Sequence, residues 1–219
     1  MSFEWQPMEA FVSSSSAGGT VGIIVLAAGG SARMGVPKQL LLYRGQSLLR
    51  RAMETAVATV CRPVVMVLGA NAERLCDEAK QLPVHVAENK RWEEGIGSSL
   101  QIGIETLVAA DGGVEAGVIM LCDQPLVSAR NINELVEVYR RTSQPIVASA
   151  YGETVGVPAL FTRSLFTELA ALKGSEGAKQ IIAKHAHEVH RIALPAGAID
   201  VDTPRDYEQL SSMTENTNI

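Results

Sequence analysis

The chain has 219 residues, of which 47% are hydrophobic, and its formal net charge is −5. This length allows one substantial buried core, and the lysines and arginines are scattered along the chain, so we expect no nucleic-acid partner. The three cysteines, Cys61, Cys76 and Cys122, are too few and too far apart for a disulfide framework or a Cys-x-x-Cys metal pair, which favours a reducing cytoplasm.

Residues 1–20 contain two glutamates, a serine run and a glycine pair, without a basic start or a long apolar stretch. A secretory signal peptide needs both of these features. We therefore expect a flexible leader over residues 1–20 and no membrane partner.

From Val21 onward, short β-branched segments alternate with segments of helical period. The predicted strands are residues 22–28, 63–68, 84–88, 117–122 and 145–150. The predicted helices are residues 47–59, 72–81, 98–110 and 129–141. Parallel strands must be joined by crossovers, so the alternation predicts an α/β fold with an open, mostly parallel, Rossmann-like sheet sandwiched by helices. Ligands bind such sheets beyond the carboxyl ends of the strands.

After residue 151 the alternation is less regular. Strand-like segments are predicted at 152–157, 159–162 and 189–194, and helices near 164–172, 178–185 and 204–213. We therefore expect a single domain over residues 21–213, with a regular half at about 21–150 and a less regular half at about 151–213. Residues 214–219 are expected to form a disordered tail.

The most informative segment is residues 23–38, an apolar β-type run that ends in a loop of small residues carrying one arginine and one lysine. Such a loop lets backbone N–H groups close around phosphates. The phosphate-binding loop of NTPases is excluded, because Val36 and Pro37 separate Gly35 from Lys38. The glycine spacing of the dinucleotide fingerprint is absent as well.

The residues Leu26-Ala27-Ala28-Gly29, followed by Arg33-Met34-Gly35 and Lys38, resemble the signature loop of nucleotidyltransferases that couple an NTP to a phosphorylated or sugar acceptor. They are most similar to the molybdenum cofactor cytidylyltransferases and their guanylyltransferase relatives, the MobA-like family. The resemblance covers residues 21–210 and implies a fold like that of the nucleotide-diphospho-sugar transferases. It implies that the regular half binds the NTP and the less regular half the acceptor. The loop residues implied to hold the nucleotide are Leu26, Ala27, Ala28, Gly29, Gly30 and Gly35.

Arg33 and Lys38 suit the chemistry of nucleotidyl transfer, in which negative charge builds on the α-phosphate and on the departing pyrophosphate. The planar guanidinium of Arg33 can grip the β- and γ-phosphates, and Lys38 can place a point charge on the α-phosphate. The alternative is that both are ordinary solvated side chains on a surface turn.

Asp123 follows the apolar run 118–122, at the carboxyl end of a predicted strand. A carboxylate there can bind Mg²⁺, or Mn²⁺, that bridges the phosphates, since Mg²⁺ takes one or two protein carboxylates and completes its shell with phosphate and water. Leu-Cys-Asp-Gln-Pro-Leu also resembles the metal-binding motif of the family. The alternative is that Asp123 caps the helix that begins near Ala129.

Asp200 is the candidate for a second metal ligand, because the segment Asp200-Val201-Asp202-Thr203-Pro204 resembles the late Asp–Thr–Pro segment of the family. A purely structural interpretation is equally compatible with the sequence. In that interpretation Asp202 or Thr203 caps a helix that starts at Pro204, a favourable first helical residue.

Residues 89–100 form a glycine-interrupted loop that opens into a helix. They resemble the cytidylyltransferase segment that holds the base, with Gly95 and Ser99 at the matching positions. Small residues admit a flat ring, and a hydroxyl can bond to the edge of that ring. Ser98 is the expected N-cap of the helix.

On the acceptor side, residues 156–158 and 174–178 resemble two further family segments, with departures at Val157, where histidine is common, and at Glu176, where aspartate is usual. The histidines at 185, 187 and 190 lack the i, i+4 spacing of a helical metal site. We expect them to have structural roles.

Together with these residues, the resemblance implies a Mg²⁺-dependent nucleotidyltransferase that uses CTP, with molybdopterin as acceptor and a molybdenum hydroxylase as the protein to which it docks. Alternatives within the class are a GTP:molybdopterin guanylyltransferase and a sugar- or polyol-phosphate cytidylyltransferase. An alternative of another class is a non-catalytic escort that delivers the cofactor to such a hydroxylase.

Overall fold

The computed structural model describes residues 19–215. Its strands are β1 (Val21–Ala27), β2 (Leu42–Tyr43), β3 (Gln46–Ser47), β4 (Val64–Leu68), β5 (His85–Glu88), β6 (Ala116–Leu121), β7 (Ile146–Tyr151), β8 (Thr154–Thr162) and β9 (Val189–Ala193). Its α-helices are α1 (Leu48–Val57), α2 (Ala72–Leu75), α3 (Ile96–Ala110), α4 (Ala129–Thr142), α5 (Phe166–Ala170), α6 (Ala178–Lys184) and α7 (Pro204–Glu215).

The main sheet has seven strands in the order β5-β4-β1-β6-β8-β7-β9. All neighbouring pairs are parallel except the two pairs made by β8, which is antiparallel to both β6 and β7. The sheet is therefore mostly parallel, as predicted. The carboxyl ends of β1, β4 and β6 meet at one edge.

Two apolar cores cover the two faces of this sheet. Alternate side chains of a strand point to opposite faces, so Ile23 and Val25 pack with α1, α2 and α4, whereas Ile24 and Leu26 pack with α3, α5 and α6. Burial on both faces explains the nearly continuous apolar sequence of β1 and confirms the predicted helix–sheet–helix sandwich.

A third, smaller cluster joins the loop after β1 to the end of the chain. It contains Met34, Tyr43, Leu48, Val201 and Leu210. This packing brings the segment before α7 next to the loop after β1, although about 165 residues separate them in sequence. No such contact is visible in the sequence pattern.

The less regular half differs from prediction in two places. The two strand-like segments at 152–157 and 159–162 form one long strand, β8, which pairs in a hairpin with β7. Helix α7 continues through Glu215, beyond the expected start of the tail at residue 214. Residues 1–18 of the leader expected over 1–20, and the last four residues of the expected tail, lie outside the described residues.

One helix of the regular half is also shorter than predicted. The segment 72–81 forms α2 for four residues and then tightens into a 3-10 turn at Cys76–Ala79. Within residues 19–215, no helix is long and apolar enough to cross a membrane.

Candidate nucleotide-binding and catalytic site

The loop after β1 is held by a buried amide side chain. Gln39, which is 1% exposed, donates from Nε2 to the carbonyl oxygens of Ala27 (3.0 Å) and Gly29 (2.7 Å). Its Oε1 accepts from Ser31 Oγ (3.1 Å), and that hydroxyl in turn accepts from the backbone N–H of Lys38 (3.0 Å). Sequence reasoning missed Gln39, although its position directly after Lys38 was a usable signal. These bonds fix the path of the loop and the backbone of Lys38.

Lys38 lies between two carboxylates. Its Nζ contacts Asp123 Oδ2 in a short ion pair and Asp202 Oδ1 at 2.7 Å. Asp202 also accepts from Arg33 Nη2 at 2.8 Å. The structure thus brings together three predicted residues, Arg33, Lys38 and Asp123, and adds Asp202, for which the sequence suggested a helix cap.

The charges in this cluster stabilise one another. Burial alone would lower the pKa of Lys38, but the charge and hydrogen bond of Asp123, helped by Asp202, hold it above its ordinary value. Burial would raise the pKa of Asp202, but the hydrogen bond and charge of Lys38, together with Arg33, hold it below its usual range. Lys38 is therefore a fixed cation at neutral pH, and Asp202 a fixed anion.

Asp200 has a different environment. Burial and the negative charge of Asp123 raise its pKa, and the nearby Gln124 and Lys179 side chains only partly oppose this. The backbone N–H of Val201 donates to the carbonyl oxygen of Asp123 at 3.0 Å, which ties the segment to the end of β6. Asp200 is thus close enough to Asp123 for mutual repulsion.

Asp202 is not the cap of α7. Thr203 Oγ1 accepts from the backbone N–H of Asp206 (3.4 Å), and the Asp206 carboxylate accepts from the backbone N–H groups of Thr203 (2.7 Å) and Asp202 (3.1 Å). Thr203 and Asp206 therefore form the cap, which leaves the Asp202 carboxylate available for Lys38 and Arg33.

One oxygen of Asp123 has no partner. Among the described residues, Asp123 Oδ1 and the neighbouring Gln124 Oε1 are the buried side-chain atoms that lack a hydrogen bond. An unpartnered buried carboxylate oxygen is costly unless a cation or donor compensates it. Carboxylate oxygens are the ligands that Mg²⁺ and Mn²⁺ prefer. Within residues 19–215 there is no group of three or more His, Cys, Asp or Glu side chains that could hold a metal.

A cavity of about 340 Å³ opens at the carboxyl ends of β1 and β6. Its lining includes nine of the predicted site residues, which are Leu26, Ala27, Ala28, Gly29, Gly30, Lys38, Gly95, Ser99 and Asp123. Three others, Arg33, Gly35 and Asp200, are not part of this lining. The Arg33 side chain is 70% exposed.

The far wall of the cavity is the loop before α3. Trp92 lies against the loop after β1, so a Cβ at Gly30 would come within 2.9 Å of the indole ring. Asn89, 1% exposed, donates from Nδ2 to Ser98 Oγ (2.8 Å) and Ser99 Oγ (3.0 Å), which positions both hydroxyls. Sequence reasoning did not assign a role to Trp92 or Asn89.

The expected N-cap at Ser98 is wrong, because α3 begins two residues earlier. Gly95 precedes its first residue with a φ of +108°, a conformation that favours glycine. Ser98 lies in the first turn, within hydrogen-bond distance of the carbonyl oxygens of Arg91 (3.0 Å) and Gly95 (2.8 Å).

Two other groups of reactive side chains have structural roles. Cys122 lines the cavity, but burial raises the pKa of its thiol to about 12, so it is protonated at neutral pH and a poor nucleophile. His185 bonds through Nδ1 to Glu188 and through Nε2 to Glu168, both at 2.9 Å. The structural interpretation of this histidine is confirmed.

An open α/β sheet, with a small-residue loop, a lysine and an aspartate converging beyond β1 and β6, has the fold of the nucleotide-diphospho-sugar transferases. The family model of the MobA-like NTP transferase domain matches residues 23–189, so the chain belongs to this family. Membership in the family implies an NTP substrate.

Curated relatives include two bacterial proteins. The purine catabolism protein PucB of Bacillus subtilis (strain 168) is 28% identical over 206 residues, which are 85% of this chain and 94% of that protein. Nicotine blue oxidoreductase of Paenarthrobacter nicotinovorans is 38% identical over 118 residues, or 53% of this chain. That match spans 56% of the length of the relative.

Among solved structures, Rv0371c from Mycobacterium tuberculosis H37Rv is 28% identical, with a TM-score of 0.76 over 89% of this chain and 98% of that one. A second structure of Rv0371c is a complex with manganese, with a TM-score of 0.70 and 29% identity over 88% of this chain and 98% of that one. These similarities agree with the family assignment and with the sheet topology.

Proposed function

We propose that this protein transfers the cytidylyl group of CTP to the phosphate of molybdopterin and releases pyrophosphate. The observation that carries the proposal is the contact of Lys38 with Asp123 inside the cavity formed by the loop after β1. A buried cation and a carboxylate with one unpartnered oxygen, next to a phosphate-binding loop, match the needs of attack at an α-phosphorus.

In the proposed reaction the loop after β1 binds the triphosphate through its backbone N–H groups. Arg33 grips the β- and γ-phosphates, and Lys38 stabilises the charge that builds on the α-phosphate. An oxygen of the acceptor phosphate forms a bond to the α-phosphorus while the bond from that phosphorus to the β-bridging oxygen breaks, and pyrophosphate leaves with the electron pair. The acceptor phosphate is already ionised, so no general base is required.

Asp202 forms ion pairs with the two side chains, Arg33 and Lys38, that we propose to bind the triphosphate. It contacts Lys38 at 2.7 Å and Arg33 at 2.8 Å. In the proposed reaction the phosphates of the NTP replace the Asp202 carboxylate as the partners of Lys38 and Arg33. The electrostatic cost is small, because one anion replaces another. The exposed position of Arg33 suits a side chain that moves toward a bound nucleotide.

Asp123 and Asp200 are the residues that we propose to hold Mg²⁺, or Mn²⁺ in its place. One support is the Oδ1 atom of Asp123, which has no hydrogen-bond partner. The other is the proximity of Asp200, because burial and the negative charge of Asp123 raise the pKa of Asp200. A bound divalent ion would relieve this repulsion and supply positive charge for the phosphates. The manganese complex of Rv0371c is compatible with this proposal.

The preference for CTP rests on the wall formed by residues 89–100. Gly95 lines this wall, and the Ser99 hydroxyl, positioned by Asn89 at 3.0 Å, can bond to the edge of a flat ring. The Leu26-Ala27-Ala28-Gly29 sequence is also closer to the cytidylyl branch than to the guanylyl branch. We place the reaction in the cytoplasm, where a molybdenum hydroxylase would receive the product.

The test is a panel of the four NTPs with molybdopterin and with sugar and polyol phosphates, following pyrophosphate release with and without Mg²⁺. We expect release to require Mg²⁺ or Mn²⁺ and to be fastest with CTP and molybdopterin. A tenfold advantage for GTP, about 1.4 kcal/mol in the transition state, would overturn the base assignment. Tight cofactor binding without any release would support the escort function instead.

A further inference from the structure

A second cavity of about 280 Å³ adjoins the first. The two share Leu26, Ile96 and Leu121 in their walls, so they meet beside the end of β6, two residues before Asp123. The second cavity lies near the lower end of the size range for small-molecule sites, about 300 Å³. A molecule bound in it would lie directly beside the nucleotide cavity.

The floor of the second cavity is apolar, and its rim carries one charge. Leu100, Ile119 and Val157 form the floor, together with the shared leucines. Ser175, Gly177, Lys179 and Gln180 come from the start of α6 and the turn before it, and Lys179 is the single charged residue in the lining. An apolar pocket with one cation at its edge suits an anionic group attached to an apolar body.

The Lys179 side chain lies beside Gly156 of β8, in the lining of the second cavity. A Cβ at Gly156 would lie 2.8 Å from Lys179 Cε and 2.6 Å from Tyr151 Oη, so the absence of a side chain at Gly156 makes room for both. The Lys179 charge also acts on Asp200, which in turn is repelled by Asp123. The charge of Lys179 therefore reaches Asp200, the second carboxylate of the proposed metal site.

We infer that the second cavity is the acceptor subsite, that Lys179 binds the acceptor's phosphate, and that the acceptor is a phosphate monoester on an apolar or planar body. This inference rests on the proposed function and adds the recognition of the acceptor to it. The phosphate lies between the Lys179 ammonium and the nucleotide cavity, and the apolar body packs on Leu100, Ile119 and Val157. Molybdopterin belongs to this chemical class, whereas a highly hydroxylated sugar phosphate fits the apolar floor poorly.

The kinetic test uses Lys179→Met with CTP and molybdopterin. We expect the KM for the acceptor to rise roughly tenfold or more, as for the loss of a charge-assisted hydrogen bond, while the KM for CTP stays within about twofold. Lys179→Arg should largely restore the acceptor KM. Lys184→Met is the control, because Lys184 is on the same helix but pairs with Glu168. An unchanged acceptor KM, or an equal rise in the KM for CTP, would overturn the inference.

A binding test decides the inference even if no acceptor reacts. The probe is phenyl phosphate, a phosphate monoester on a planar apolar ring, titrated by calorimetry into protein saturated with the α,β-methylene analogue of CTP, which cannot transfer its nucleotidyl group. We expect phenyl phosphate to bind to this complex and to bind at least fivefold more weakly to Lys179→Met, with Lys184→Met unchanged. Displacement of phenyl phosphate by the analogue, or equal affinity for the wild type and Lys179→Met, would refute the subsite. Absence of pyrophosphate release with every acceptor would refute the proposed function alone.

Discussion

The Lys38 ammonium forms ion pairs with the carboxylates of both Asp123 and Asp202, and the Lys38 side chain is only 14% exposed. Lys38→Ala is expected to lower kcat by roughly two to three orders of magnitude and to leave CTP affinity within a few-fold. The reason is that its charge acts mainly on charge that develops in the transition state. Steady-state kinetics and an equilibrium titration that follows Trp92 fluorescence would measure the two effects separately.

Lys80→Ala is a suitable control for this experiment, since Lys80 forms an ion pair with Asp77 that is exposed on both sides. Its loss should change neither parameter, because exposed pairs contribute little. A Lys38→Ala enzyme that kept its kcat but lost CTP affinity would assign Lys38 to ground-state binding.

Asp200 and Asp202 are expected to have different functions, which their asparagine variants can distinguish. Asp200→Asn should weaken the Mg²⁺ dependence and the turnover together, with little effect on Tm, because the amide removes a proposed ligand and also a repulsion with Asp123. Asp202→Asn should leave the Mg²⁺ midpoint unchanged, since Asp202 contacts Lys38 and Arg33. Turnover against Mg²⁺ concentration, beside melting curves of both variants, measures this. An active Asp200→Asn enzyme with a normal Mg²⁺ response would leave Asp123 as the single proposed protein ligand.

The site could be predicted from sequence only where local signals exist. Lys38 and Asp123 follow apolar strands, and the topology of a parallel sheet brings strand ends together. The contact of Lys38 with Asp202 joins residues 164 positions apart, and no local pattern encodes it. Gln39 was missed for a different reason. A polar residue in a loop is normally read as exposed, whereas this one is buried to bind backbone carbonyl groups.

At the scale of elements, the strongest periodic signals were the most accurate. Helix α4, predicted at 129–141, spans Ala129–Thr142, because its apolar stripe and its Ser128 cap agree. Strand β8 was divided in the prediction because Pro158 interrupts it. The structure tolerates this proline in an interior strand because it lies at a register shift between β7 and β8. The pairing of β8 with β7 therefore continues through a residue that normally ends a strand.

Two loops at the site are in direct backbone contact. A Cβ at Gly95 would come within 2.1 Å of the carbonyl oxygen of Gly174, and the backbone N–H of Gly97 donates to that oxygen at 3.2 Å. With its φ of +108°, Gly95→Ala should cost about 1–3 kcal/mol of stability and raise the KM for CTP. Urea unfolding and steady-state kinetics would measure these effects.

Gly112→Ala is the matched control for Gly95→Ala, because a Cβ at Gly112 meets no atom within 4 Å. It should change stability by less than about 0.5 kcal/mol. If the two variants were equally stable, the contact between the loops would not be rigid, and the base wall would not depend on the turn before α6.

At the scale of the whole molecule, the cavity joins parts of the chain that are distant in sequence. The loop after β1, the loop before α3 and the end of β6 line it, and the segment before α7 is tied to Asp123 through Val201. A ligand that contacts several of these parts stabilises the folded state by mass action, by about 2.7 kcal/mol at a concentration 100 times its Kd. For a chain of this size, that corresponds to a rise in Tm of roughly 5–10 °C.

We therefore expect CTP with Mg²⁺ to raise Tm by this amount, CTP with EDTA to raise it less, and Mg²⁺ alone to have a small effect. The difference between the first two conditions should disappear in Asp123→Asn, because that variant loses the oxygen that has no partner in the protein. Differential scanning calorimetry at a fixed protein concentration measures these three conditions, beside the ligand-free protein, for the wild type and for Asp123→Asn. If CTP raised Tm equally with Mg²⁺ and with EDTA, the metal would not be part of the nucleotide complex. The absence of a shift with each of the four NTPs would mean that the cavity beyond β1 and β6 is not the nucleotide site.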